Sequence, residues 1–215
     1  MTPGPDRVLV IGLDGASAPL VEPWVRAGEP PELARLMEHG CHGELRSTFP
    51  PLTPPAWSSF MTGNPGKHGI FSFCRLAADG SAAGRSSPHA TSARTLWEIV
   101  GEAGRPVGAI NVPLSYPVRP VNGFMVSCPL KPPGDAEVIS PPELRTLLGP
   151  GYEIAIDSPA RPSPPSPTTA SAPSPTSSGC ACWRGSDATL RLLRERPWAL
   201  LAVVFYEPDR IQDFF

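Results

Sequence analysis

Through most of the chain, short runs of consecutive apolar residues alternate with segments whose apolar positions recur every three or four residues. Arg7 to Leu13 (RVLVIGL) is a β-branched run that predicts a strand. Pro31 to His39 (PELARLMEH) sets Leu33, Leu36 and Met37 on one helical face and meets Gly40, a helix stop. Ser92 to Ala103 repeats the helical spacing through Leu96, Ile99 and Val100, with Ser92 as its expected cap and Gly104 beyond its end. Val107 to Val112 and Gly123 to Ser127 predict two further strands, and Pro142 to Leu148 a short helix. Farther on, Asp187 to Arg196 predicts an amphipathic helix stopped by Pro197, and Ala199 to Tyr206 a wholly apolar strand. Strands apolar on both faces and interleaved with helices imply an α/β fold, a mostly parallel sheet flanked by helices on both faces.

Composition changes this picture in one place. Proline accounts for 31 of the 215 residues, well above the usual share of about 5%. It concentrates in Ser158 to Ser178, a stretch with no Val, Ile, Leu, Met or aromatic residue and so nothing to bury. The expected organisation is an α/β segment over 1–157, a disordered Pro/Ser/Thr-rich linker over 158–183, and a continuation of the same domain over 184–215.

Charge and cysteine usage exclude several classes. A net charge of −2 argues against capture of a nucleic-acid polymer, which needs a basic excess. The longest apolar run, Trp198 to Tyr206, falls far short of the roughly 20 residues of a membrane-spanning helix. The N-terminus carries no basic leader or small-residue cleavage site, so the expected location is the cytoplasm. The five cysteines, Cys41, Cys74, Cys128, Cys180 and Cys182, are odd in number and show no CxxC spacing, which points to free thiols.

In open α/β sheets ligands sit beyond the carboxyl ends of the strands, and two expected strands are followed there by an aspartate: Asp14 and Asp209. The segment IGLDGAS fails the GxGxxG pattern because Asp14 stands at its second glycine, where a carboxylate repels a pyrophosphate. A divalent cation between carboxylate and phosphate turns that objection into support. The competing structural role is a helix cap, or a turn with Gly15.

Phe49 to Ile70 contains GNPGKH, which has the wrong glycine spacing for a phosphate-binding Walker loop and His68 in place of its Ser or Thr. Thr53, followed by Pro54 and Pro55, reads as a helix N-cap with proline at the first helical position. A hydroxyl at a helix N-terminus also lies where backbone N–H groups and the helix dipole favour an anion, and a metal can activate it as a nucleophile. In FYEPDRIQDFF, Asp209 and Gln212 have capping-box spacing. Asp209 and Asp213 are four apart, so on a helix they share a face and repel unless a cation lies between them.

Together, VIGLDGAS, PPLTPPAWSSFMTG with its following PGKHGI, and EPDRIQDFF resemble the type I phosphodiesterase/nucleotide pyrophosphatase family of the alkaline phosphatase superfamily, in the family's order. The resemblance implies an alkaline-phosphatase-like fold and a bimetallic phosphoester hydrolase, commonly with two zinc ions and with manganese as the other candidate. In such an enzyme a metal-bound Thr or Ser attacks phosphorus and the covalent phospho-enzyme is then hydrolysed. On this mapping Thr53 is the metal-bound nucleophile, Asp14 and Asp209 are metal ligands, and His68 has a structural role. The substrate implied is a small phosphoester or nucleotide-like molecule.

The sequence departs from the family's pattern in three places. Asp213 stands where the late motif Asp-x-x-x-His has its His, and remains a candidate ligand. Ala56 stands where many nucleotide pyrophosphatases carry an Asn. The family's later Asp-His pair and further His have no counterpart, since His39, His42, His68 and His89 all precede the proline-rich stretch. The expectation is therefore a domain incomplete at its C-terminus. Its first reading is a metal-dependent hydrolase, and the alternative is a catalytically silent fragment that keeps at most cation, phosphate or partner binding. An unrelated nucleotide-binding α/β domain is the third reading, disfavoured by the failed glycine-loop and Walker patterns.

Overall fold

The structure, a computed structural model, describes residues 6–77, 79–86, 93–128, 138–149, 152, 176–206 and 208–209, with 176–185 described as backbone. The strands are β1 (Val8–Leu13), β2 (Cys74–Leu76), β3 (Ala82–Arg85), β4 (Val107–Val112), β5 (Gly123–Ser127), β6 (Ile139–Ser140) and β7 (Leu200–Phe205). The helices are α1 (Ala18–Ala27), α2 (Pro31–His39), α3 (Thr53–Thr62), α4 (Leu96–Glu102), α5 (Leu144–Leu148) and α6 (Thr176–Glu195).

The main sheet runs β1-β7-β4-β5-β6, and β2 and β3 form a separate antiparallel hairpin. β1, β7, β4 and β5 are parallel to their neighbours, and β6 alone runs antiparallel, on the far edge. This is the mostly parallel α/β architecture that the apolar runs imply. The last strand in sequence, β7, lies between β1 and β4, so the loops after β1 and β7 leave the sheet side by side.

Burial follows the period of two along the strands. Leu201 and Val203 of β7 join Ile110, Phe124 and Val126 in a core closed by Leu144 and Leu148 of α5 and Ala188 and Leu192 of α6. Ala202 and Val204, with Tyr206 just past the strand, face the other way. They join Val107, Ala109 and Met125 in a core closed by Met61 of α3 and Trp97 of α4. Gly108 is required where the sheet meets the first core: a β-carbon there would stand 2.5 Å from Phe124 and 2.6 Å from Leu201.

Local chemistry explains the element ends, including two that differ from expectation. α4 begins at Leu96, and its cap is Thr95 rather than Ser92. The Thr95 hydroxyl accepts the Glu98 N–H while the Glu98 carboxylate accepts the Thr95 N–H, a reciprocal capping box. α6 starts at Thr176, well before the expected Asp187, so its first turns take in residues assigned to the linker; residues 158–175 lie outside the described set. α5 starts two residues later than expected. None of the described helices is long and apolar enough to cross a membrane.

Candidate active site

The first aspartate is placed by sheet pairing. Leu13 of β1 is in register with Phe205 of β7, and the Asp14 N–H continues the ladder by donating to the Phe205 carbonyl at 2.9 Å. The chain then turns at Gly15, which has φ +74, the left-handed region that glycine enters without strain. A β-carbon at Gly15 would lie 2.6 Å from the Cα and 2.8 Å from the backbone nitrogen of Asp209. The Asp14 and Asp209 loops therefore touch backbone to backbone, and two of the expected ligands share one junction. Asp14 does not cap the next helix: Ser17 holds the N-cap position of α1.

The expected nucleophile comes from α3. Leu52, in extended conformation, occupies the N-cap position without a capping side chain, so Thr53 is the first helical residue and not the cap expected from sequence. Pro54 and Pro55 follow it in the first turn, where a fixed φ suits the helix and the missing N–H groups have no helical acceptor to lose. They also remove two donors an incoming anion could have used. The next N–H, from Ala56, is bonded to the Leu52 carbonyl at 3.1 Å. The expected set of anion-receiving amides thus reduces to the Thr53 N–H and the helix dipole. Among the described residues the Thr53 hydroxyl has no hydrogen-bond partner.

One turn along the same face as Thr53 stands Trp57. Its indole Nε1–H donates to Asp14 Oδ1 at 3.1 Å. Its ring lies so close over Gly12 of β1 that a β-carbon there would collide with Cη2. Trp57 thus fastens α3 to β1, and with it the turn that carries Thr53. Sequence reasoning passed over Trp57; the available signal was its spacing of four from Thr53.

Burial dominates the electrostatics of the junction. Burial pushes the half-buried Asp14 carboxyl above the ordinary aspartate value, against the pull of its hydrogen bonds from Trp57 and the Gly15 backbone. Tyr206, just past β7, is buried, and its hydroxyl meets no oxygen or nitrogen partner among the described residues. Burial, then Cys128, then the charge of Asp14 hold this phenol well above its usual range, with Asp209 adding to the effect, so it is present as the neutral O–H.

His68 is not part of this charge cluster. It is 2% exposed; Nδ1 accepts the Ile70 N–H at 3.0 Å, which leaves Nε2 as the protonated nitrogen facing Ser59 Oγ at 3.1 Å. Ser59 in turn donates to the Pro55 carbonyl at 2.7 Å. The imidazole fastens the loop after α3 to the first turn of α3, the structural role expected of it.

Of the expected ligands, Asp14 and Asp209 adjoin, Thr53 is tied to Asp14 through Trp57, and Asp213 lies outside the described residues. Among those residues no group of three or more His, Cys, Asp and Glu side chains is gathered. The groups that Gly15 and Trp57 bring toward one another carry carboxylate and hydroxyl oxygens, the donor type that suits a hard divalent cation. The desolvated Asp14 carboxyl favours a positive charge beside it. The nitrogen donors that would suit the expected zinc pair are not found at this junction among the described residues.

Comparison with known proteins supplies the lineage. No curated protein matches the chain. Among solved structures, phosphonoacetate hydrolase from Sinorhizobium meliloti 1021 in complex with phosphonoacetate is similar, with a TM-score of 0.64 at 20% identity over 96% of this chain and 47% of that one. The same enzyme in complex with phosphonoformate gives a TM-score of 0.60 at the same identity and coverage. The chain thus spans about half the length of these structures, and at this identity the likeness shows the alkaline-phosphatase-like fold. The model of the family described as type I phosphodiesterase/nucleotide pyrophosphatase matches residues 8–215. With β1, α3 and β7 all inside that match, the chain belongs to the type I phosphodiesterase/nucleotide pyrophosphatase family.

Proposed function

We propose that this protein hydrolyses small phosphoesters with the help of a divalent cation, Thr53 being the nucleophile. The observation that carries the reading is the junction at the carboxyl ends of β1 and β7, where the Asp14 and Asp209 loops meet through Gly15 and α3 presents Thr53 one turn from the residue bonded to Asp14. Asp14 and Asp209 would hold the cation, with Asp213 as a further oxygen donor, and zinc or manganese is the ion proposed. When bound, the cation neutralises charge developing on the phosphoryl oxygens and favours the ionised Thr53 hydroxyl.

The remaining work falls to the chain's own groups. The Thr53 N–H and the α3 dipole receive a phosphoryl oxygen. Thr53 Oγ1 attacks phosphorus as the bond to the leaving oxygen breaks, and that oxygen takes up a proton. Water then cleaves the phosphothreonine, returning the Thr53 hydroxyl and releasing phosphate or a phosphomonoester. A small phosphorus oxyanion as substrate is supported by the phosphonoacetate and phosphonoformate held by the similar solved structures.

The test is hydrolysis of bis(p-nitrophenyl) phosphate with added Zn²⁺ or Mn²⁺. The expected result is metal-dependent turnover that Thr53→Ala abolishes. Turnover unchanged by Thr53→Ala would sink the nucleophile assignment, and no turnover with either metal would sink the hydrolase reading.

A further inference from the structure

We infer that Trp57 is a positioning residue of the proposed site, orienting the Asp14 carboxylate toward the cation and setting the place of Thr53 relative to it; the inference rests on the hydrolase reading above. An indole offers a single donor and no acceptor. Directed at Asp14 Oδ1 at 3.1 Å, that donor, together with the Gly15 N–H that the carboxylate also accepts, restricts the rotation of the group and leaves its remaining lone pairs for a cation. The ring is held where it can do this. Gly12 lets it lie directly on the β1 backbone, and Phe60, one turn away on α3, packs edge-on with ring centroids 5.5 Å apart and planes at 86°.

Because Trp57 and Thr53 lie four residues apart on one helix, the contact that orients the carboxylate also sets the height of the hydroxyl above it. Trp57 touches neither reacting atom. Its two roles are separable: the N–H acts on Asp14, and the bulk of the ring acts on the seating of α3.

The experiment measures Mn²⁺ binding by calorimetry and p-nitrophenyl phosphodiester turnover on the full chain, in three forms. These are the parent, Trp57→Phe, and a form with 3-benzothienylalanine at position 57, which keeps the bicyclic ring and replaces only its N–H by sulfur. Thermal melts establish that each is folded. The Kd for Mn²⁺ is expected to rise about tenfold or more in both altered forms, the usual size of the effect when a ligand's orienting partner is lost. At saturating Mn²⁺ the benzothienyl form should recover parent kcat, whereas Trp57→Phe should keep a lowered kcat with KM little changed. If Trp57→Phe fails to fold, the benzothienyl form still decides the role of the N–H.

Parent-like Mn²⁺ affinity in the benzothienyl form overturns the role of Trp57 while leaving the hydrolase reading in place. Failure of the parent itself to bind either Mn²⁺ or Zn²⁺ overturns both.

Discussion

The Cα of Asp209 lies 2.6 Å from where a β-carbon of Gly15 would be, so the loops after the first and last strands meet with no side chain between them. The two glycines of VIGLDG thus have separate duties. Gly12 admits the Trp57 ring, and Gly15 admits the Asp209 backbone while turning through a positive φ. A motif that superficially suggests a dinucleotide-binding loop is, in this fold, a seat for a helix and a second carboxylate.

Gly15→Ala should therefore cost more than a loop substitution usually does. An alanine strained at φ +74 costs about 1–3 kcal/mol, and the overlap with Asp209 must be relieved by moving one of the two loops. The expected outcome in urea unfolding is a loss of about 2 kcal/mol or more, with Mn²⁺ binding lost even where the protein is still folded. A variant with the stability and cation affinity of the parent would show that the two loops do not need this contact.

The His68 link predicts an acid-sensitive fold. Burial lowers the imidazole's proton affinity below the ordinary value of 6.5, and Nδ1 is already committed to the Ile70 N–H. The unfolded chain takes up a proton near pH 6.5 that the folded chain resists. The stability this contributes is thus fully present above that pH and is lost as pH falls through the lower folded value. For one proton the slope is at most about 1.4 kcal/mol per pH unit. Glutamine can accept from Ile70 and donate to Ser59, so His68→Gln should flatten this part of the stability-against-pH curve between pH 7 and pH 5. Parallel curves for parent and variant would remove His68 as its source.

How far the sequence could be read depended on the range of the interaction. β4, β5 and α2 have the bounds their apolar patterns predict, and β1 and β7 lie within a residue or so; in β4, β5 and β7 burial on both faces leaves a continuous apolar run. α1 was hidden by Pro19 and Pro23, which look like breakers although one sits in the first turn and the other is tolerated within the helix. The β2–β3 hairpin was hidden by its Ala- and Gly-rich composition, which has little to pack. Ser92 was the expected cap, and the glutamate three residues after Thr95 was the overlooked signal for the cap that forms. The placing of Asp14 directly after β1 and of Thr53 at the start of α3 was legible from the apolar run and the two prolines, and that of Asp209 just past β7 from strand order. Trp57 was not, because its bond spans 43 residues of chain and exists only once α3 lies on β1.

The capping box offers a control for effects at the site. Thr95→Ala removes the hydroxyl that accepts the Glu98 N–H and donates to the Glu98 carboxylate at 2.8 Å. The expected loss is about 1 kcal/mol of stability, with kcat on the phosphodiester unchanged, since α4 carries none of the proposed site residues. A loss of turnover at full occupancy of the folded state would mean that α4 communicates with the site in some further way.

The final prediction concerns β1, the edge of the main sheet among the described residues. Leu9, Ile11 and Leu13 project on one face, in register with Leu201, Val203 and Phe205 of β7, yet they are 41%, 57% and 44% exposed. VLVIGL has no charge or proline to discourage pairing with another edge. The chain by itself should therefore associate as its concentration rises, and Ile11→Lys should disperse it by adding a charge to that stripe. Because Ile11 is already exposed, the change should alter stability by no more than about 0.5 kcal/mol. Sedimentation velocity over a range of concentrations decides the matter: a parent monomeric throughout, or a lysine variant that associates equally, would show that this edge does not drive self-association.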